Sequence, residues 1–444
     1  MTIYPSGFTT EFASNDQIRI GIPPNLLVNL AIRQCMAQLP FTKNRYPMAT
    51  VPKSTVPKFP PINRSHRLLL RSALCANEAA LTAWQEWNAD YGFSSLDEKT
   101  SDLLPLVHSN LKRAGMQSPW PQNLDHRGHL CQFFNRNRIR VMAGVVGLLS
   151  DAGIPCMALK GAALILAYYK ELGLRPMGDF DILVPTEHGD QALNLLKKHH
   201  WKLGEKLVGK ESEIATDTMP GVCLVNKDEA KCDLHWHLLH DCCFPDADRV
   251  FWDQATFLTC HGQKIWILSP TDMLLHICLH GSMRNGAPAT RWIPDAVTII
   301  RTSGSQIDWD RLLAEARSRS FVYILQHAFQ AIDNVVEISI PQQFRKQLAG
   351  TSVSVRERLE YGVRLRDKNY KFTLIGRWCQ LGRYYPDRNS CWRLWNFPSF
   401  LIQVWHIRRF RDLFPYLFRA SFLYCWRQLS IKRFNDENDE TKIS

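Results

Sequence analysis

The chain has 444 residues, more than one compact core needs, so two or three packed units are expected. Hydrophobic residues make up 45% and charged residues 22%, which excludes wholesale disorder and fibrous repeats. Lys and Arg total 54 against 42 Asp and Glu, and the resulting charge of +12 favours an anionic partner: nucleic acid, a phosphorylated ligand or an acidic membrane.

The cysteines and the N-terminus predict a cytoplasmic protein with reduced thiols. The 13 Cys are scattered without a CxxC pair, and the first residues lack the basic and then apolar pattern of a signal peptide. The apolar segment 397–426 is interrupted by Arg408, Arg409, Arg411 and Arg419, so no membrane-spanning helix is predicted.

The N-terminal third divides into an extended part and a helical part. Residues 1–64 form a Pro-rich lead-in, since nine of the 24 Pro lie between residues 1 and 61. Apolar residues at helical spacing then predict a helical region over 65–150, with helices at 66–87, 103–114 and 135–149.

Strand and helix patterns alternate over 151–268, which predicts a sheet domain. The predicted strands cover 156–159, 178–184, 201–208, 222–226, 231–237 and 264–268, and the predicted helices cover 162–172 and 187–199. Helical patterns return over 269–370, followed by a basic, aromatic helical arm at 371–433 and an acidic, disordered tail at 434–444. The predicted fold class is therefore α+β or α/β, a small sheet flanked by N-terminal and C-terminal helical regions.

The sheet domain carries three carboxylates in strand patterns. Alternate strand residues point to the same face, so Asp179 and Asp181 project together. Asp233 lies in a later strand with His235 and His237 on the same face. An isolated Asp-x-Asp is usually a solvated strand end, but convergent carboxylates suit Mg²⁺ or Mn²⁺ and the in-line chemistry of phosphoryl or nucleotidyl transfer.

The motifs around these carboxylates resemble a known family. The chain reads Ala-Leu-Lys-Gly-Ala-Ala-Leu over 158–164, Arg-Pro-Met-Gly-Asp-Phe-Asp-Ile-Leu-Val over 175–184 and Asp-Leu-His-Trp over 233–236. They are similar to the uncharacterised nucleotidyltransferases of the DNA-polymerase-β-like superfamily, and the resemblance extends over roughly residues 66–335. It implies a nucleotidyltransferase palm over 151–268.

The resemblance also implies roles for individual residues. Asp179, Asp181 and Asp233 would be the catalytic metal ligands, and Asp233 could help to deprotonate the attacking hydroxyl. The triphosphate contacts would be Lys160 as a point charge, Gly161 through close backbone approach and Arg175 as a planar fork. Better-known members of the superfamily have Ser after the glycine, whereas this chain has Ala162, so one phosphate contact is missing.

Several other residues allow more than one interpretation. The six Cys and His residues between Cys232 and Cys243 could hold zinc, but their spacing matches no standard zinc motif. His235 is instead expected beside Asp233, orienting its carboxylate from outside the ligand set. His276 and His280, one helical turn apart, fit a metal site or the wall of a cleft, and Asp295 fits a helix-start cap or a substrate contact.

The arm contains most of the excess positive charge. Residues 371–433 hold 12 Lys or Arg against two Asp, whereas residues 151–320 hold 18 basic and 22 acidic residues. The arm could be a packed helical subdomain with a basic exterior, a peripheral contact with anionic membrane, or a surface for single-stranded nucleic acid.

These observations predict a metal-dependent nucleotidyltransferase. It would transfer a nucleoside monophosphate from an NTP such as ATP to a hydroxyl of a small molecule, glycan precursor, peptide or RNA, with release of pyrophosphate. The alternatives are a non-catalytic module that binds NTP or metal, and an accessory protein that works at a membrane or on nucleic acid through its arm.

Overall fold

A computed structural model describes residues 62–117, 124–204, 219–244, 246–283, 289–366, 373–385 and 388–405, with residues 370, 407, 412, 413 and 415. The Pro-rich lead-in up to residue 61 and the acidic tail at 434–444 lie outside the described residues, as does most of the arm beyond residue 405.

Seven strands form one mixed sheet in the order β3-β4-β5-β2-β1-β7-β6. The strands are β1 Met157–Leu159, β2 Phe180–Leu183, β3 Lys202–Leu203, β4 Gly221–Val225, β5 Lys231–His235, β6 Thr256–Cys260 and β7 Gln263–Ile267. The β2–β5 and β1–β7 pairs are parallel, and the other neighbouring pairs are antiparallel. The α+β class is confirmed, and a central position for β2 follows from this order.

Helices precede the sheet, cover it and follow it. They are α1 Arg64–Leu74, α2 Asn77–Asp90, α3 Glu98–Ser101, α4 Leu104–Arg113, α5 Leu124–Asp151, α6 Lys160–Leu164, α7 Gly189–Lys198, α8 Arg249–Asp253, α9 Pro270–Met283, α10 Ala289–Ser303, α11 Trp309–Ser318, α12 Val322–Asp333, α13 Gln342–Gly350, α14 Val355–Arg366, α15 Leu374–Tyr384 and α16 Ser390–Val404. One hydrophobic core runs through this assembly from Leu68 in α1 to Tyr361 in α14.

Some predicted elements have different bounds in the structure. The helix predicted over 66–87 is two helices, because the chain turns at Cys75 and Ala76 and Asn77 has a positive φ of 46°. The helix predicted over 162–172 continues α6 only as a π-helical turn to Tyr169, after which Lys170 adopts a left-handed φ of 60°. The strand predicted over 201–208 is β3, with residues 205–208 outside the described range.

Buried ion pairs join the loop after β5 to helices of the C-terminal region. Arg364 of α14 contacts Asp241 at 2.8 Å and Glu360 at 2.5 Å, and Tyr370 donates to Asp241 at 2.6 Å. Arg383 of α15 donates to Glu360 at 2.8 Å. Arg383 is therefore buried, and Arg377 of the same helix is also buried and donates to Gln380, so neither arm cation is exposed to an external polyanion. Membrane contact by the arm stays a prediction.

Candidate active site

Three chain segments meet at Asp181, in the central strand β2. In the antiparallel β1–β2 ladder Leu159 is the partner of Asp181, so Lys160 follows directly at the end of β1. In the parallel β2–β5 ladder Asp181 is the partner of Asp233. Partners in neighbouring strands share a sheet face, so the ladder places the two carboxylates side by side. Convergent carboxylates were predicted from the strand patterns, and the β2–β5 pairing brings Asp181 and Asp233 together.

Asp181 is almost fully buried and has two cationic or polar neighbours. Lys160 Nζ lies 2.5 Å and His235 Nε2 lies 3.0 Å from Asp181 Oδ1. Burial alone would raise the pKa of the Asp181 carboxyl, but the Lys160 ammonium and the His235 ring hold it well below its usual range. His235 was expected to orient Asp233, and in the structure its ring bonds to Asp181 while a ligand atom of Asp233 lies within 4.8 Å.

Asp181, Asp233 and His235 could hold a metal ion together. Each offers one ligand atom, and these atoms lie within 4.8 Å of one another. Among the residues that the structure describes, no other group of three His, Cys, Asp or Glu residues brings its ligand atoms this close together. The His235 ring is 6% exposed, and its Nδ1 has no hydrogen-bond partner in the described part of the chain. Two carboxylates and an imidazole suit Mn²⁺ better than Mg²⁺, which prefers oxygen ligands alone.

Asp179 lies in a bend just before β2, not within the strand as predicted. Burial, followed by the negative charges of Asp181 and Asp233, raises the pKa of the Asp179 carboxyl. Crowded carboxylates of this kind create an excess of negative charge that a divalent cation would neutralise. Asp179, the third predicted ligand, is therefore close enough to Asp181 and Asp233 for the three charges to interact.

Lys160 and Gly161 form a tight turn at the start of α6. Lys160 has a positive φ of 42°, which is uncommon for a residue other than glycine. A Cβ at Gly161 would lie 2.9 Å from Arg175 Nη1 and 3.1 Å from Met177 Cγ. The missing side chain at position 161 therefore leaves room for the Arg175 guanidinium. The group that approaches Gly161 closely in the structure is this side chain, whereas the predicted close approach was to a phosphate.

Arg175 is held by an acidic partner from a distant helix. Its Nε and Nη2 donate to Asp295 Oδ1 and Oδ2 at 2.7 Å and 2.9 Å, and Tyr169 also donates to Asp295 at 2.9 Å. Asp295 lies inside α10, so it does not cap a helix start. The role of Arg175 in triphosphate binding stays a prediction, since the guanidinium edge facing Asp295 is already occupied.

Three further residues lie near the site but belong to no strong sequence motif. Arg291 is exposed at the start of α10, and its charge counteracts the rise in the pKa of Asp179. Cys223, the partner of Asp233 in the β4–β5 ladder, has a pKa raised to about 11 by burial and by the Asp233 charge. His276 of α9 is 2% exposed, and neither ring nitrogen has a partner among the described residues.

His276 was predicted to line a cleft or to bind a metal with His280. Burial lowers the pKa of His276 well below its ordinary value, with contributions from His280 and Lys160. The two rings lie 5.8 Å apart between centroids. Helix spacing could identify this pair, but only the fold shows that His276 lies against the carboxylate site.

The His240 ring of the Cys and His cluster lies 6.1 Å from the His235 ring between centroids, whereas His237 has a different partner. Strand β5 ends at His235, so the predicted alignment of His237 with Asp233 is wrong. His237 Nδ1 lies 3.0 Å from Asp248 Oδ2 instead. Cys232 faces the core, with no exposed surface, and Cys242 and Cys243 form no disulfide within the described part of the chain.

The model of a family described as uncharacterised nucleotidyltransferase matches residues 99–336, more than half of the chain. The chain belongs to this uncharacterised nucleotidyltransferase family. Membership makes it a transferase by class. The match includes all of the strands and every predicted site residue, and it ends after α12.

Two further comparisons concern solved structures and curated proteins. A crystal structure of an antigenic nucleotidyltransferase-like protein from Paracoccidioides brasiliensis is 17% identical, covering 46% of this chain and 95% of its own, with a TM-score of 0.28. No curated protein matches the chain. Among its described helices, none combines the length and the apolar character needed to cross a membrane.

Proposed function

We propose that this nucleotidyltransferase transfers a nucleoside monophosphate from an NTP to an acceptor hydroxyl, using Mg²⁺ or Mn²⁺ held by Asp181 and Asp233. The observation that carries the proposal is the group of ligand atoms from Asp181, Asp233 and His235 within 4.8 Å. The raised pKa of Asp179 supports it, because a third carboxylate adds negative charge beside the group.

The residues fit a divalent cation. Asp181 and Asp233 supply oxygen ligands, and His235 Nδ1, which has no hydrogen-bond partner among the described residues, adds a possible nitrogen ligand. The bound ion would neutralise charge on the triphosphate and polarise the phosphorus that is attacked. Lys160 neutralises Asp181 in the structure, and we propose that its ammonium moves to a phosphate oxygen when the ion and NTP bind.

The chemical step conserves its atoms and protons. The acceptor oxygen bonds to the α-phosphorus, the bond between that phosphorus and the α,β-bridging oxygen breaks, and pyrophosphate leaves. Asp233, half-buried at the edge of the group, accepts the hydroxyl proton. We propose that Arg291, which is exposed and whose charge acts on Asp179, stabilises the leaving pyrophosphate.

The test combines direct binding with turnover in the full chain. Mn²⁺ affinity is measured by electron paramagnetic resonance, and transfer is measured with labelled NTPs and cell extract. Asp181→Asn and Asp233→Asn should lose metal binding and reduce transfer about 10³-fold or more, because the ion contributes several kcal/mol to the transition state.

Asp228→Asn is the matched control, since this exposed Asp lies in the turn just before β5. It should change neither Mn²⁺ binding nor transfer. Equal labelling by the two site variants and the control would overturn the proposal. NTP binding without pyrophosphate release under any acceptor would instead support the non-catalytic binding module.

A further inference from the structure

The first half of α5 presents an apolar surface that the core does not use. Its inner side is buried through Cys131, Asn135 and Ile139, which recur every four residues. On the outside, Leu130, Phe133 and Phe134 are 41%, 68% and 48% exposed. We call these three residues, with Arg127, Arg136, Arg138 and Arg140, the α5 face.

The α5 face is strongly cationic. Between residues 126 and 150 the chain has four Arg and no Asp or Glu. Arg127, Arg136 and Arg140 are exposed, and the Arg138 guanidinium lies over the Phe134 ring at 5.5 Å. Exposed aromatic rings interleaved with cations match the chemistry that binds single-stranded nucleic acid, where bases stack on rings and cations contact phosphates.

The α5 face borders the candidate active site. Asn135 Nδ2 donates to the carbonyls of Leu172 and Arg175, and Arg138 Nε donates to the carbonyl of Gly178 at 3.2 Å. Gly178 is the residue before Asp179. The segment that leads into the carboxylate site is therefore fixed to the helix beside the exposed rings.

We propose that the α5 face binds single-stranded RNA, so that a terminal hydroxyl of the RNA is the acceptor for nucleotidyl transfer. The assignment of RNA as the acceptor rests on the proposed function, whereas the binding itself does not. Charge complementarity favours this occupant, because four Arg with no Asp or Glu between them along the helix fit a chain of phosphates. Unpaired bases supply flat surfaces for Phe133 and Phe134, which a duplex keeps inside its stack.

The experiment measures binding of a 5′-labelled, 12-nucleotide mixed-sequence RNA to the full chain by fluorescence anisotropy. Phe133→Ala with Phe134→Ala should weaken binding at least about tenfold, as expected when base stacking is lost. Phe133→Trp with Phe134→Trp should retain it. Phe257→Ala, at a ring 57% exposed on edge strand β6, is the matched control and should bind like the parent chain.

Salt dependence tests the cationic part of the surface. Replacing Arg127, Arg136 and Arg140 by Gln should make the slope of log affinity against log salt shallower by about 2, since each phosphate contact on a single strand contributes about 0.7. A duplex of the same composition should bind more weakly than the single strand. Unchanged slope or preference for the duplex would contradict the proposal.

Other occupants give different results. Equal RNA binding by the Phe133 and Phe134 variant and the Phe257 control overturns the proposal. Phe-dependent binding to vesicles with phosphatidylserine, without RNA binding, assigns the face to a membrane. A fall in thermal stability of the double Ala variant without RNA binding shows that another part of the chain covers the face. Each of these two results also overturns the proposal.

Failure here can be separated from failure of the proposed function. Asp181→Asn should bind RNA normally while losing transfer, because the carboxylate does not belong to the α5 face. Phe-dependent RNA binding without nucleotide addition from any NTP would overturn the transferase mechanism but not the surface. Transfer to another acceptor without RNA binding would overturn the proposed RNA surface but not the transferase mechanism.

Discussion

The Arg175–Asp295 pair gives the most quantitative prediction. The Arg175 and Asp295 side chains are 12% and 4% exposed and form two hydrogen bonds with each other. If one side chain is removed, water cannot take its place beside the other. Asp295→Ala would leave a buried guanidinium without its counter-ion, and breaking such a pair typically costs about 3–5 kcal/mol in the free energy of unfolding. The Tyr169 hydroxyl also loses its acceptor on Asp295 in this variant, so we expect a cost near the upper end of that range.

The assay is equilibrium unfolding in urea followed by tryptophan fluorescence, arranged as a double-mutant cycle. Arg175→Met with Asp295→Leu should recover about 2 kcal/mol or more relative to the sum of the two single substitutions, because no buried charge remains unpaired. Asp253→Ala, at an exposed carboxylate that ends α8, should stay within about 0.5 kcal/mol of the parent chain. Additive losses in the cycle would refute the reasoning, since they would mean that the pair is not coupled in the folded protein.

Three further predictions concern the site and the thiols. Asp179→Asn should increase the free energy of unfolding by about 0.5–2 kcal/mol at pH 7 while weakening Mn²⁺ binding. Its raised pKa means that ionisation destabilises the folded state, so the urea-measured gain should fade as pH falls toward 4. Gly161→Ala should lower the free energy of unfolding in urea by about 1–3 kcal/mol and slow transfer, because the added Cβ would clash with the Arg175 guanidinium, which an ion pair holds in place. Gly178→Ala is the control, since a Cβ there meets no atom within 4 Å and should leave stability unchanged. Cys391→Ser should lower by one the count of thiols that react with Ellman's reagent in the native protein, since this thiol is exposed, and substitution of a buried thiol should not change that count.

Strand patterns were sufficient to predict much of the sheet. Residues 156–159, 222–226 and 264–268 each contain or overlap an observed strand, and the period of two places Asp181 and Asp233 correctly on their strands. Strand β6 was missed, because its sequence Thr-Phe-Leu-Thr-Cys has neither clear alternation nor a strong flanking turn before it. The parallel β2–β5 register follows from long-range pairing that local patterns do not contain.

The partners of the site residues were less predictable. Arg175 and Asp295 are 120 positions apart, and the choice between a helix cap and a substrate contact for Asp295 omitted the ion pair that the fold makes. His235 has two carboxylates within reach, and spacing along β5 could not determine that its ring bonds across to β2. Tertiary contacts of this kind depend on strand order, which the residue pattern within a single strand does not specify.

The ion pairs around Glu360 have a consequence for how this protein can be divided. The family match ends at residue 336, yet Asp241 relies on Arg364 and Tyr370, and Glu360 relies on Arg383. A fragment cut where the homology ends would release a carboxylate six residues beyond β5 from its counter-ion. We therefore expect the smallest fragment that folds to extend through α15, so that the limits of shared ancestry and of the cooperative unit differ by nearly fifty residues.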